Sequence, residues 1–480
     1  MSVSASPLLS RRRLLNACAA PLAALRAAPG RPPNFVLLVT DDQRGDALGA
    51  MGNPIIQTPH LDRLCREGVT FVNNFVTTSI CMVSRASMFL GQYLSTHGIN
   101  EFNEQLTPEA FRRSYPGLFR AAGYRMGFIG KWGLDRKPLP EGQFDYWRGF
   151  AGQGSYFPEG PNGPHATALM GRQAVECLRQ FADRQPFFLQ VSFKAPHVQD
   201  EDPRQFLYDP ADAALYRDVT IPPPRTADTR FLSALPIEVH RSEGRRRWAI
   251  RFSTPELYQE SVRSYYRLIT GVDRVVGHIR RTLAELGLDR DTVIVFTSDN
   301  GFYLGEHGLA GKWLMHEPSI RTPMIIYDPR LPEKARGLRR PEIALNIDLA
   351  PTLLALAGLE IPRSVQGRSL VPLLDPEARP RWRKDFFYEH TFTARGWIPR
   401  VEGVRGERWK YTRYLDTDPL FEELYDLETD PHEERNRARD PSCRAVLEQM
   451  RARYRLWKDV LAESGPELGW VRPEPDPVQL

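Results

Sequence analysis

Continuous apolar runs, rather than alternating ones, punctuate this chain. Asn34-Phe35-Val36-Leu37-Leu38-Val39-Thr40 is rich in β-branched residues, with prolines before it and aspartates after it. Such a run predicts a strand buried on both faces. Tyr124 to Ile129, Phe187 to Phe193 and Thr292 to Thr297 read the same way, and Met324 to Tyr327 is a shorter fifth. Helical periodicity lies between them. Apolar residues at Val262, Tyr265, Ile269, Val272, Val276, Ile279, Leu283 and Leu286 fall three or four apart and stop at Gly287, one stripe on a long helix. Thr107-Pro108 has the form of an N-cap with proline at the first helical position, and Gly123 closes the segment leading into the strand at Tyr124. Strands alternating with helices predict an α/β fold with a large, mainly parallel sheet covered on both faces.

Two stretches break the rhythm. Residues 200 to 255 have no convincing period and are rich in proline, aspartate and arginine, which predicts a long excursion at the rim of the site, where selectivity would partly reside. Beyond Leu374, Phe386 to Glu389 and Gly403 to Tyr414 read as antiparallel strands and Arg444 to Glu463 as an amphipathic helix. The expected division is a leader over 1–30, a large domain over 31–375 and a smaller α+β subdomain over 376–480.

Charge changes the picture only at the amino end. The sequence pI of about 8.9 and net charge of +5 invite a nucleic-acid reading, but residues 1–30 hold Arg11, Arg12, Arg13 and Arg26 and no acid, so the remainder carries only +1. With no basic run interleaved with aromatics, nucleic acid is excluded as a partner. Ser10-Arg11-Arg12-Arg13-Leu14-Leu15 and the alanine-rich stretch after it resemble a bacterial twin-arginine export signal, implying a periplasmic or extracellular protein. A lipoprotein site at Cys18 is the weaker reading, since Asn16 suits it poorly. No transmembrane span is expected, because no segment approaches 18 apolar residues. The five cysteines are too irregularly spaced for a disulfide framework or a cysteine-rich zinc site.

Parallel sheets bind ligands outside the carboxyl ends of their strands. Here those ends deliver Asp41-Asp42, Gly130-Lys131-Trp132, Lys194-Ala195-Pro196-His197 and Ser298-Asp299-Asn300-Gly301. Any one of these is a common turn or cap; together, three carboxylates and an amide make a hard oxygen site suited to calcium or magnesium. Cys81-Met82-Val83-Ser84-Arg85 adds a cysteine and an arginine four residues apart. If a helix starts near Cys81, the thiol sits at its positive end and Arg85 shares its face. A buried free cysteine beside a surface arginine is the plainer alternative for that motif alone.

The ordered set Asp41-Asp42, Cys81 to Arg85, Gly130-Lys131-Trp132, Ala195-Pro196-His197, Asp299-Asn300-Gly301 and Lys312 resembles the sulfatase family over roughly residues 33 to 375, and Glu423 to Leu427 with Asp430-Pro431 resembles its C-terminal segment. The resemblance implies an alkaline-phosphatase-like fold, one bound Ca2+, and conversion of Cys81 to formylglycine by a formylglycine-generating or equivalent maturation enzyme. The metal set would be Asp41, Asp42, Asp299 and Asn300, with the modified residue 81 facing the ion. A hydrated formylglycine carries two hydroxyls on one carbon, one to attack sulfur and one to expel sulfate afterwards. Arg85, Lys131 and Lys312 would neutralise the sulfate oxygens, and His197, titrating near neutrality, would protonate the leaving oxygen. His307 is a further candidate substrate contact.

Two residues depart from the family pattern. Val83 stands where proline or alanine is common, which bears on maturation. Gly133 stands where a histidine often follows Gly-Lys-Trp, removing a partner of the formylglycine diol. The expected substrate is a sulfated small molecule or glycan. Phosphonate monoester or phosphodiester hydrolysis in the same superfamily, and non-catalytic binding of a sulfated glycan with Cys81 left as a thiol, are the alternatives.

Overall fold

A computed structural model describes residues 32–184 and 186–463; the leader and Cys18 lie outside them. The predicted runs become strands β1 (Asn34–Asp41), β3 (Arg125–Lys131), β5 (Phe187–Pro196), β6 (Thr292–Ser298) and β7 (Met324–Tyr327). Three short strands complete the sheet: β2 (Val69–Phe71), β4 (Tyr146–Phe150) and β8 (Leu338–Arg340). At three to five residues they carry too little pattern to be read locally. The order is β8-β2-β7-β6-β1-β5-β3-β4.

β1 is central and all eight of its residues are buried. Its alternate side chains enter two cores: Val36 and Leu38 one, Phe35, Leu37 and Val39 the other. Only two-sided burial calls for such an uninterrupted apolar run. The first core is closed by α1 (Pro59–Glu67), α4 (Ala166–Phe181) and α5 (Pro255–Glu285), and the second by α2 (Cys81–Leu90), α3 (Tyr115–Ala121) and α6 (Leu349–Leu356). On α5, Thr254 Oγ1 caps the start by accepting from Leu257 N–H at 3.2 Å, and Gly287 lies just past the end with φ +67°.

β7 runs against its neighbours β6 and β2. The segment from β6 to β7 crosses no face of the sheet with a helix; it folds over the carboxyl edge and returns, and such a return is necessarily antiparallel. That overhang carries Asp299, Asn300 and Lys312.

The excursion over 200 to 255 contains helices at Thr229–Ser233, Ile237–His240 and Glu243–Arg251, the longest only nine residues and hence without a readable period. The segment starting at Thr107 is two helices rather than one: Ser114 ends Pro108–Arg113 and caps α3. The stretch expected as one strand over Gly403 to Tyr414 is a hairpin, because Glu407-Arg408 turns the chain between β10 (Val401–Gly406) and β11 (Trp409–Tyr414). With β9 (Asp385–His390) and β12 (Phe421–Asp426) these form a four-stranded antiparallel sheet. α7 (Arg444–Ala462) supplies Leu447, Met450, Tyr454 and Leu461 to a third core, which also takes in Tyr303, Leu309, Leu314 and Met315. The small sheet thus shares its core with the overhang that bears Lys312. Among the described residues no helix is long and apolar enough to cross a membrane.

Candidate active site

Because β1 and β6 are adjacent and parallel, the residues leaving them meet. Asp42, in the left-handed region at φ +67°, turns its N–H to Asp299 Oδ1 at 3.2 Å. Ser298 Oγ accepts from Gln43 N–H at 3.0 Å and donates to Thr40 O at 3.1 Å. Asn300 Nδ2 donates to Asp42 Oδ1 at 2.5 Å. The four predicted metal ligands are therefore one stitched unit.

Cys81 is the first residue of α2, a helix buried along all ten residues. One turn on, Arg85 is 2% exposed and makes three bonds: Nε to Asp299 Oδ2 at 2.9 Å, Nη2 to Asp41 Oδ2 at 3.3 Å, and Nη1 to Lys131 O at 2.6 Å. Lys131 Nζ donates to Asp41 Oδ2 at 2.5 Å, and Lys312 Nζ pairs with Asp42 Oδ1. Trp132 anchors the end of β3 by stacking on Phe89 of α2 at 4.6 Å. Strand ends and helix terminus are thereby locked together.

Burial works against the charge on Arg85, Lys131 and Lys312, yet all three stay protonated above their ordinary values. The neighbouring carboxylates outweigh burial. The three cations are tied to one carboxylate cluster, with Cys81 one helical turn before Arg85. Burial also pushes the carboxyls up. Around Asp41 the cations, led by Lys131, reverse this and hold it well below the usual range. Asp42 stays raised, and Asp299 is pushed up to about 6 by burial and by Asp41. Asp41 Oδ1 and Asn300 Oδ1 are buried without a hydrogen-bond partner among the described residues. Crowded carboxyls and orphaned oxygens on adjacent loops are what a hard divalent cation would satisfy, so the residues fit calcium or magnesium.

His197 joins this neighbourhood: one atom each of Asp41, Asp42 and His197 lie within 4.8 Å of one another. Its Nδ1–H donates to Val198 O at 2.8 Å, which fixes the tautomer and leaves Nε2, 3.6 Å from Asp42 Oδ2, as the exchangeable nitrogen. The expectation of a titration near neutrality is corrected. Burial, with Lys312, Lys131 and Lys194 nearby, drives the imidazole well below its ordinary value, and it is neutral in the resting site.

His307 is 3% exposed; its ring stacks on His316 at 4.3 Å and meets Phe231 edge-on, so its observed ring contacts lie within the overhang.

Gly133 has a steric reason. A Cβ there would lie 2.3 Å from Arg85 Cδ, and φ is +87°. The site therefore excludes a side chain at 133 so long as Arg85 holds both Asp41 and Asp299. Gly133→His, the residue common in the family pattern, is expected to lower stability by about 1–3 kcal/mol and to impair turnover rather than restore a missing partner. Thermal unfolding and kinetics of the variant check this; an improved kcat with unchanged Tm would refute the steric account.

Sequence reading missed the braces. Tyr388 of β9 accepts from Ser79 N–H at 3.1 Å and donates to Trp313 O at 2.6 Å, tying the approach to Cys81 to the residue after Lys312. Lys410 Nζ donates to Met315 O at 2.8 Å. No local pattern marks such residues; they are defined by contacts more than 70 positions apart. The cavities also mislead: one of about 870 Å³ lies between α4 and α5, away from the chemistry, whereas the one touching Lys312 and Trp313 is only about 10 Å³. Trp313 is nearly buried, and Arg247 of the excursion lies 5.3 Å from its ring centroid, so the excursion closes over this part of the site.

The sulfatase family model matches residues 33–359, and the model for the N-sulphoglucosamine sulphohydrolase C-terminal region matches 305–459. An N-acetylglucosamine-6-O-sulfatase from Bacteroides thetaiotaomicron is 29% identical, over 84% of this chain and 82% of its own. A solved structure described as a complex with its substrate D-glucosamine-2-N,6-O-disulfate superposes with a TM-score of 0.77 at 25% identity, covering 90% of this chain and 98% of that one. A phosphonate monoester hydrolase from Silicibacter pomeroyi shares the fold, with a TM-score of 0.75 at 24% identity over 90% and 95% of the two chains. With the sulfatase family model matching residues 33–359, and with relatives of that family aligned over most of the chain, this chain belongs to the sulfatase family of sulfuric ester hydrolases.

Proposed function

We propose that the chain hydrolyses sulfate esters of a carbohydrate, with residue 81 as formylglycine and one calcium ion held by Asp41, Asp42, Asp299 and Asn300. The observation that carries this is the pair of orphaned buried oxygens, Asp41 Oδ1 and Asn300 Oδ1, in a carboxylate cluster paired with Arg85, Lys131 and Lys312, with Cys81 at the start of the helix that bears Arg85. When bound, the ion would polarise a sulfate oxygen and lower the pKa of a hydroxyl on residue 81. Formylglycine, once hydrated, supplies the paired hydroxyls, and producing it requires a maturation enzyme acting on the Cys81 segment. Arg85, clamped by two carboxylates, keeps a fixed position, and Lys131 and Lys312 offer ammonium charge to the sulfate oxygens. His197, neutral at rest, protonates a departing oxygen only after Nε2 has itself taken up a proton. The glucosamine sulfates named for its relatives support a carbohydrate substrate, and the twin-arginine-like leader supports action outside the cytoplasm.

Only one imidazole stands at the cluster among the described residues, whereas a phosphatase of this superfamily gathers histidines for further metals. The expected result is a preference for sulfate esters of at least about 100-fold in kcat/KM, or roughly 2.7 kcal/mol of transition-state stabilisation. Side-by-side kinetics on nitrophenyl sulfate, nitrophenyl phosphate, a phosphodiester and a panel of sulfated sugars measure it. Equal or faster turnover of either phosphorus ester, with no sulfated sugar accepted, would overturn the assignment.

A further inference from the structure

The loop after β4 reaches further into the site than any of the motifs accounts for. Gly152-Gln153-Gly154 turns tightly, with φ of +69° and +62° at its glycines, and Gly152 N–H donates to Asp135 Oδ1 at 2.8 Å. At the apex, Gln153 Oε1 accepts from Lys131 Nζ at 2.6 Å, the same ammonium that donates to Asp41. The main-chain carbonyl of Gln153 accepts from Lys194 Nζ at 3.0 Å, and Lys194 donates also to Val198 O at 3.1 Å, beside His197. Three residues on, Tyr156 Oη donates to His197 O at 2.5 Å. Whereas Cys81, Arg85, Lys131, His197 and Lys312 are all buried, Gln153 is half-buried, so the polar cluster meets the surface here.

The geometry of an ammonium group gives this contact a consequence. Lys131 Nζ has three hydrogens in tetrahedral array on a flexible stem. One acceptor leaves the group free to rotate about that bond. Two acceptors, Asp41 and Gln153, fix the direction of the third N–H. We propose that Gln153 is a positioning residue: by accepting a second hydrogen bond from Lys131, it aims the remaining N–H at the oxygens of the scissile ester. The proposal rests on the reading of Lys131 as a cation that binds those oxygens. A plain loop-bracing role for Gln153 would not act through Lys131, and that difference is measurable.

The test is a double-mutant cycle of Gln153→Met, nearly isosteric but without the acceptor, against Lys131→Ala, with Gln153→Ala run in parallel. In wild-type background kcat on nitrophenyl sulfate should fall about tenfold with KM little changed, as for loss of a hydrogen bond to a charged group. In the Lys131→Ala background the further loss should be under about twofold, because the partner is already gone. Calorimetric titration of the same proteins with inorganic sulfate should show the same coupling without turnover. Unchanged kcat and sulfate affinity on removing Gln153, or equal losses with and without Lys131, would overturn the proposal. A wild type that prefers a phosphodiester would instead overturn the ester assignment, and the cycle would then be read on that substrate, so the two failures stay distinct.

Discussion

Replacing Cys81 by alanine is expected to eliminate turnover, by at least about 10⁴-fold in kcat, the scale seen when a covalent nucleophile is removed from other hydrolases. The fold should survive, because residue 81 is a small buried side chain at the first position of α2 and alanine suits that helix. Cys81→Ser should be nearly as inactive: it restores one hydroxyl but not the second on the same carbon. The matching chemical result concerns the wild type. The Cys81 peptide from protein made in its native host should carry an aldehyde or its hydrate and react with a hydrazide probe. Val83 makes this informative, since it departs from the family pattern two residues after the cysteine and packs fully buried in the second core. An unmodified thiol throughout active protein would sink the formylglycine mechanism.

Asp42→Ala and Asp299→Ala should each lower activity by about 10³-fold or more, through loss of the metal. Each removes one of only three carboxylates from the cradle. Each also weakens the hold on a buried cation: Lys312 loses its Asp42 partner and is left with Asp41 Oδ1 at 3.9 Å, and Arg85 loses the Asp299 oxygen 2.9 Å from its Nε and keeps Asp41. A buried charge with fewer partners is less stable, so part of the effect should appear as a lower Tm. Metal analysis separates the two causes. Strong chelation of the wild type should mimic the loss of activity without substitution, and added calcium should restore it. Asp42→Asn, which keeps the shape and an acceptor for Lys312, should recover stability more than metal content. Full activity in metal-stripped wild type would remove these residues from the ligand set.

Some of this was written in the sequence because it depends on neighbours along the chain. The uninterrupted run Asn34 to Thr40 follows from burial of β1 on both faces, and the stripe from Val262 to Leu283 from α5 showing the sheet one side. Strand ends deliver chemistry by topology alone, so Asp41, Asp42, Lys131, His197, Asp299 and Asn300 could be assigned to one edge before any contact was known. What the tertiary structure decided has a different range. The hairpin within Gly403 to Tyr414, the reversed β7, the neutral His197, the buried stack of His307 on His316, the glycine at 133 and the reach of Gln153 to Lys131 all rest on groups brought together from distant segments or on the desolvation that packing imposes. Residue identity supplies the functional groups and local periodicity places them on elements. Charge state, clearance and hydrogen-bond direction exist only once those elements close on one another, because burial and Coulomb interactions depend on distance through space rather than along the chain.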